Sequence, residues 1–382
     1  MDSITKALAK ELNLDLICVD HVVQLLDEGN TIPFIARYRK ELHGGMDDTT
    51  LRTLEDRLGY LRNLAARRGE IKKAIGAQGK LTPALASKLA RADTLAKLED
   101  LYRPYRPKRR TRATMAKERG LEPLAEVLLA QEGGGTPEAR AEPFVRPEQG
   151  VDSVQAALAG ACDIIAETIS DDADTRSLLR EQMARHGFLT ARAAGEEDSV
   201  YRTYYDFAQP LSRVQGHQVL AINRGEKEGF LKVTVELVPE PALALIRRRW
   251  VKNHCPWATV IQAAGEDAYH RLIFPALCRE ARSQLTDSAS EGAIQTFAAN
   301  LKPLLLQPPV RGHVTLGLDP GYVNGCKAAV VDGTGKVLDT AVLYPSFSKR
   351  KHEKALETLK ELVDKYHIER AAIGNGTGGR EA

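Results

Sequence analysis

The sequence has no apolar run long enough to span a bilayer, no CxxC pair, no internal repeat of fixed period and no long low-complexity tract. The first absence argues against a membrane protein. The amino-terminal MDSITKALAKEL reads as an acid-containing amphipathic helix rather than an export signal, so a cytoplasmic protein is expected. The five cysteines, Cys18, Cys162, Cys255, Cys278 and Cys326, are odd in number and far apart, which suits reduced thiols and not a disulfide frame. His254 and Cys255 are adjacent and Cys278 is distant, so no pair has zinc-ligand spacing, and no serine sits in a GxSxG elbow. His270 and Cys278 lie in apolar helical sequence, where a hydrogen-bonded core histidine and a buried thiol are expected. The formal charge of +3 is too small to argue for a polyanion partner, so the distribution of charge has to decide.

What is present is an ordinary globular composition, 43% hydrophobic and 27% charged over 382 residues, a length that suggests about two to three domains. The first three hundred residues carry mostly helical periodicity. Ile4, Ala7, Leu8 and Leu12 form one stripe and Val19, Val22, Val23 and Leu26 the next, ended by Gly29 and Asn30. Pro33 suits the first turn of FIARYRKEL, and these short helices fit a helix-turn-helix-like unit or any small bundle. Asp47 and Asp48 open a long helix whose leucines, at spacings of three and four, predict an intramolecular hairpin. GGGTPE at 133–138 and the proline-rich patch up to Gly150 read as a linker. The expected organisation is a helical region over 1–132, a linker over 133–150, a mostly helical region over 151–310 with a strand near Leu231–Leu237, and an α/β domain over 311–382. The fold class is therefore mainly α and multidomain, followed by an α/β sheet.

That last stretch is compact in its signals. Val314, Leu316 and Leu318 alternate and deliver Asp319 at the tip of a strand; two β-rich runs meet at Gly333, Thr334 and Gly335; and Leu356, Leu359, Leu362 and Val363 recur at helical spacing. A buried strand follows at Ala371–Gly374. Three strands, a helix and a strand is the opening order of an RNase H-like sheet, and the natural protein is expected to continue beyond Ala382. Gly374, Gly376 and Gly379 spell GxGxxG, but a dinucleotide loop follows the first strand of a βαβ unit, so the match is read as coincidental.

The strongest electrostatic feature is YRPYRPKRRTRATMAKERG, in which Arg103, Arg106, Lys108, Arg109, Arg110, Arg112, Lys117 and Arg119 meet one acid, Glu118. Such a segment attracts phosphates, Tyr102 and Tyr105 could stack on bases, and Pro104 and Pro107 are expected to hold its first part extended. The competing reading is a solvated loop whose arginines pair with nearby acids. A second cluster, Arg247, Arg248, Arg249 and Lys252, is weaker because consecutive helical residues point in several directions. Tyr201, Tyr204 and Tyr205 suit either base stacking or packing.

The blocks TIPFIARYRKE, PYRPKRRTRATMAKERGLEPLA, YRTYYDFAQPLSRVQGHQVLAINRGEKEG, LGLDPG and IGNGT resemble the bacterial Tex family of transcription accessory proteins, over nearly all of the chain. The resemblance implies an elongated helical protein with a YqgF-type RNase H-like domain. It also implies helix-hairpin-helix and OB-type RNA-binding modules further on, and a role as a nucleic-acid-binding scaffold in transcription and RNA metabolism. RNA or DNA is the expected partner, RNA polymerase or the ribosome a further candidate, and a monomer the expected state.

The chemical alternative is a nuclease or junction resolvase. RNase H-like nucleases hold two divalent metals about 3.5–4 Å apart between carboxylates; Asp319 would bridge them and Glu381 would supply a second acid, with Mg²⁺ or Mn²⁺ as cofactor. The structural reading makes Asp319 a turn residue before Pro320 and Glu381 a first-turn helix acid. The resemblance adds that this domain is generally a scaffold. It also shows a departure, Val323 and Asn324 where an Arg-Thr pair is common, and Gly378 and Gly379 where an Ala-Ser pair is. No catalysis and no cofactor are therefore expected.

Overall fold

The computed structural model describes residues 2–107, 109–132, 134–252, 256–308, 312–321, 325–345, 348–376 and 379. The chain divides into two compact units, Met1–Ala293 and Ile294–Ala382.

The first unit begins with α1 (Ser3–Leu12), α2 (Leu16–Asp27) and α3 (Ile32–Tyr38), each short because left-handed Asn13 and Gly29 close the first two and Pro33 opens the third. Their apolar stripes, including Leu8, Val19, Val22, Ile32 and Ile35, close on Leu51, Leu54 and Leu58 of the long helix α4 (Asp48–Ala77). Asp47 caps α4 by accepting from the Thr50 amide at 2.7 Å. The second half of α4 builds a separate core, with Leu64, Ile71 and Ile75 against Leu89 of α5 (Pro83–Arg91) and Leu98 of α6 (Leu95–Tyr102). The leucine pattern of α4 is thus spent inside the chain, on two successive cores.

A third core surrounds α10 (Val154–Asp171). Its residues Ala157, Ala161, Ile165 and Ile169 are fully buried beneath α7 (Arg112–Glu118), α8 (Glu122–Ala130) and α9 (Pro137–Ala141). The expected linker does not behave as one. Residues 137–149 form α9 and two 3₁₀ turns, Ala141 is fully buried, and Arg146 and Val151 exchange backbone hydrogen bonds. Its prolines sit at helix N-termini, where the missing N–H costs nothing, so they start turns here instead of preventing structure.

Beyond α11 (Ala173–His186) comes a small antiparallel sheet of β1 (Phe188–Ala193), β2 (Asp206–Pro210) and β3 (Leu231–Glu236), in the order β2-β1-β3, with α12 (Gly216–Lys227) between β2 and β3. Gly187 makes the turn from α11 into β1. A Cβ there would stand 2.5 Å from the Met183 carbonyl oxygen and 2.7 Å from Leu211 Cδ1. Gly187→Ala is expected to cost about 1–3 kcal/mol, read as a lower denaturant midpoint at unchanged slope. The unit ends with α13 (Pro239–Trp250), α14 (Ala258–Asp267), a π turn over Ala268–Ile273 and the start of α15 (Phe274–Leu305). The π turn lies immediately before Phe274-Pro275, where the Phe274 amide reaches back to the Tyr269 carbonyl and Pro275 offers no donor.

In the second unit β4 (Thr315–Asp319), β5 (Cys326–Val331) and β6 (Val337–Leu343) are antiparallel. After α16 (Lys349–Tyr366) the chain returns as β7 (Arg370–Ile373), parallel to β4, giving the order β6-β5-β4-β7. This is the expected RNase H-like opening. Asp332 fixes the β5–β6 turn by accepting from the Thr334 and Lys336 amides at 2.8 and 3.0 Å, with Gly335 left-handed. Ala355 and Leu362 of α16 cover one sheet face over Leu316, Leu318, Ala328 and Val330. The expectation of a buried last strand is corrected: all four residues of β7 are exposed, because it is an edge strand paired only with β4. The glycine loop therefore follows the fourth strand, consistent with the coincidental reading; Gly378 lies outside the described residues.

Candidate nucleic-acid interface

The basic segment leaves α6 without becoming extended at once. Arg103–Tyr105 continue as a 3₁₀ turn with Pro104 at its start, 106–107 and 109–111 carry no helix, and Thr111 caps α7 by accepting from the Thr114 amide at 3.0 Å. The expected extension by both prolines is thus corrected: Pro104 fits a first helical turn. The Gln78 side chain pins the turn to the end of α4 by donating to the Tyr105 carbonyl at 2.9 Å. The two tyrosines are not open stacking surfaces. Both pack partly buried on the α4–α6 core, and the Arg67 guanidinium lies 5.6 Å from the Tyr102 ring.

The cations separate into two groups. Arg103 points inward, its Nε 3.3 Å from Asp171 Oδ1, and burial first and the Arg176 charge second hold it below the ordinary guanidinium value. Arg110 pairs with Glu118 at 2.7 Å and Lys117 with Glu122 at 2.6 Å. Arg106, Arg109, Arg112 and Arg119 are exposed and make no ion pair among the described residues. Lys108 lies outside the described residues. The last pair sits at the two ends of α7, at the edge of the face that buries Ala113 and Ala116 toward α10; the Arg112 charge acts on Asp163 of α10, yet both arginines stay exposed.

Arg103, Arg106 and Arg109 line a cleft of about 450 Å³ that Glu99, Asp100, Glu167 and Asp171 also line. Four carboxylates against three guanidiniums make the cleft interior a poor anion pocket, but Arg106 and Arg109, which line it, are also exposed to solvent. On the neighbouring surface the sequence reading missed Arg146. Its guanidinium overlies Gly120, 3.9 Å from where a Cβ would stand, while Arg119 lies 3.7 Å from the same position on Gly150. Arg146 is exposed and has no ion pair among the described residues, and only the folding of 137–151 brings it beside Arg119.

The other sequence candidates are mostly structural. Arg249 pairs with Asp172 and Asp174, and Lys252 donates to the Ala130 carbonyl at 2.6 Å, leaving Arg247 and Arg248 exposed. Tyr201 is buried and donates to Glu228, Tyr204 sits edge-on to Phe207, and Tyr205 donates to the Glu197 carbonyl. Packing accounts for all three. Cys278 is partly buried with its thiol pushed up by burial, but His270 is exposed, edge-on to Tyr269, and not the expected core histidine. The π turn rotates the helix face at that point, which periodicity could not anticipate. His254 and Cys255 lie outside the described residues.

Asp319 ends β4 on an open, mostly apolar depression of about 810 Å³, with Lys327 as its cross-strand partner and Gly374 beside it on the β7 side. Its carboxylate makes no hydrogen bond or ion pair among the described residues. Glu381, Val323 and Asn324 lie outside the described residues. Among the described residues no cluster of three His, Cys, Asp or Glu could hold a metal. Among the described residues no helix is long and apolar enough to cross a membrane.

Comparison with known proteins is consistent along the chain. Residues 2–76 match the Tex-like protein N-terminal domain, 134–297 the Tex central region-like family and 313–382 the Tex protein YqgF-like domain. Protein tex of Bordetella pertussis is 42% identical over 98% of this chain and 49% of its own length. The transcriptional accessory protein Tex of Neisseria gonorrhoeae is 39% identical over 99% of this chain and 50% of its own. The human S1 RNA-binding domain-containing protein 1 is 31% identical over 98% of this chain and 39% of its own. The chain thus spans about half the length of the bacterial relatives it matches. With all three regions matched in order, and with the helical body and the β6-β5-β4-β7 sheet in the corresponding places, the chain belongs to the Tex family.

Proposed function

We propose that this chain is the part of a transcription accessory protein that binds RNA or DNA through its outer basic face and serves as a scaffold, without catalysis. The observation that carries the reading is the exposure of Arg106, Arg109, Arg112 and Arg119, unpaired among the described residues, on one short segment and its following helix. Guanidiniums left in solvent keep their capacity for bidentate phosphate contact. The names of two relatives support the same direction, transcription for the Neisseria gonorrhoeae protein and RNA for the human one.

The nuclease reading has one observation in its favour, the unengaged Asp319 carboxylate at an open depression. The two readings separate in one experiment. The chain is titrated onto a labelled RNA and a labelled DNA, then incubated with Mg²⁺ or Mn²⁺. Salt-sensitive binding without products is expected, unchanged in Asp319→Asn. Metal-dependent cleavage that Asp319→Asn abolishes would overturn the scaffold reading.

A further inference from the structure

A second cationic surface lies on α3, away from the basic segment. Ile32 and Ile35 anchor this helix in the first core, which leaves Phe34, Arg37 and Tyr38 on its outer side. Phe34 and Tyr38, four residues apart, pack as a tilted pair with centroids 5.3 Å apart at 49°. The Arg37 guanidinium carbon is 5.9 Å from the Tyr38 ring and that of Arg39 is 5.1 Å from the Phe34 ring. Arg39 is further fixed by donating from Nη1 to the Tyr38 carbonyl at 3.0 Å. Tyr38 is nevertheless 56% exposed. Lys40 is exposed as well, and the nearby acids are mostly committed elsewhere: Asp47 caps α4 and Asp48 pairs with Arg52, leaving Glu41.

We infer that this surface binds an unpaired base of a single-stranded nucleic acid, with the ring of Tyr38 as the stacking platform and Arg37, Arg39 and Lys40 holding the adjoining phosphates. The inference rests on the nucleic-acid reading above but concerns a different site and a different kind of contact. One half-exposed ring is too small for an apolar protein dock, whereas an exposed ring with Arg37 beside it and with Arg39 and exposed Lys40 next in the chain suits a base and its backbone. Stacking requires a base that is not already stacked in a duplex, so the site discriminates strandedness, which the phosphate contacts of the basic segment do not.

The test uses the whole chain, a labelled oligouridine and an RNA duplex of the same length. Tyr38→Ala is expected to weaken oligouridine binding about tenfold while duplex binding stays within about twofold. Because Tyr38 stands outside the core, the thermal midpoint should hardly move. Tyr38→Trp should retain affinity, and oligouridine should quench the added fluorescence. Unchanged oligouridine affinity in Tyr38→Ala, or equal losses on both probes without quenching in Tyr38→Trp, overturns the inference. A silent Tyr38→Ala together with a large loss on neutralising the four outer arginines would remove this site and leave the basic segment standing. Binding of neither probe by the unaltered chain would remove both.

Discussion

Replacing Arg106, Arg109, Arg112 and Arg119 together with glutamine is expected to weaken binding of the chain to RNA or DNA by about a thousandfold at 0.1 M salt, with the two affinities converging as salt approaches 1 M. The expectation follows from counterion release. Each phosphate neutralised adds about 0.7 to 0.9 to the slope of log affinity against log salt, so four lost contacts flatten it by about three. The contrast is Arg110→Gln with Lys117→Gln. Both residues belong to the same stretch of sequence, but their charges already face Glu118 and Glu122 at 2.7 and 2.6 Å. Their loss should change affinity by less than about fivefold, the scale of an exposed pair. A pair of variants with equal effects would mean that the count of charges matters and their pairing does not.

The second large effect is on stability. Asp100 of α6 is 5% exposed and accepts from Arg176 Nε and Arg180 Nη2, both at 2.8 Å, while Arg180 also binds Glu280 of α15. Asp100→Ala leaves the Arg176 guanidinium, 3% exposed and with its Nη1 already lacking a partner, without its compensating charge. The expected cost is about 3–5 kcal/mol, measured as a lower denaturant midpoint at unchanged slope. Replacing both partners with apolar residues of similar size, Asp100→Leu with Arg176→Met, should recover most of it, because the cost lies in a stranded charge and not in a lost attraction. If the double variant is as unstable as the single one, the network is doing something other than compensating burial. Asp100 lies in the last turn of α6, from which the basic segment departs, and its charge acts on Arg103, so Asp100→Ala should also loosen the position of Arg103.

Most of the architecture could be read from the sequence because its signals are local. The stripes of α1, α2 and α4, the alternation of β3, the turn at Gly335 and the order of the second sheet each depend on residues a few positions apart. What escaped depended on distant partners. In β1 three consecutive residues, Leu189, Thr190 and Ala191, are buried, so period-two alternation is hidden by packing on both faces. Residues 133–150 looked like a linker because glycine and proline were read as breakers. Instead Ala141 enters the third core and Trp257 donates to the Gly135 carbonyl across the fold.

The candidate site divides in the same way. That the segment is basic was plain, but which cations remain available was not. Glu118 was visible within the run, Glu122 stands just past it, and Asp100 and Asp171 come from other helices. Arg146 could be joined to Arg119 only once the turn at Arg146–Val151 was known. In the second unit, Asp319 was correctly placed at the end of a strand, whereas its surroundings depend on Lys327 and Gly374 from neighbouring strands.

The most direct test of the central claim is a cross-linking map. RNA carrying 4-thiouridine is bound to the unaltered chain, irradiated, and the modified peptides are located. Adducts within residues 106–119, suppressed by salt and absent from the four-arginine variant, are predicted. Adducts confined to the sheet around Asp319, with the basic segment unmodified, would contradict it.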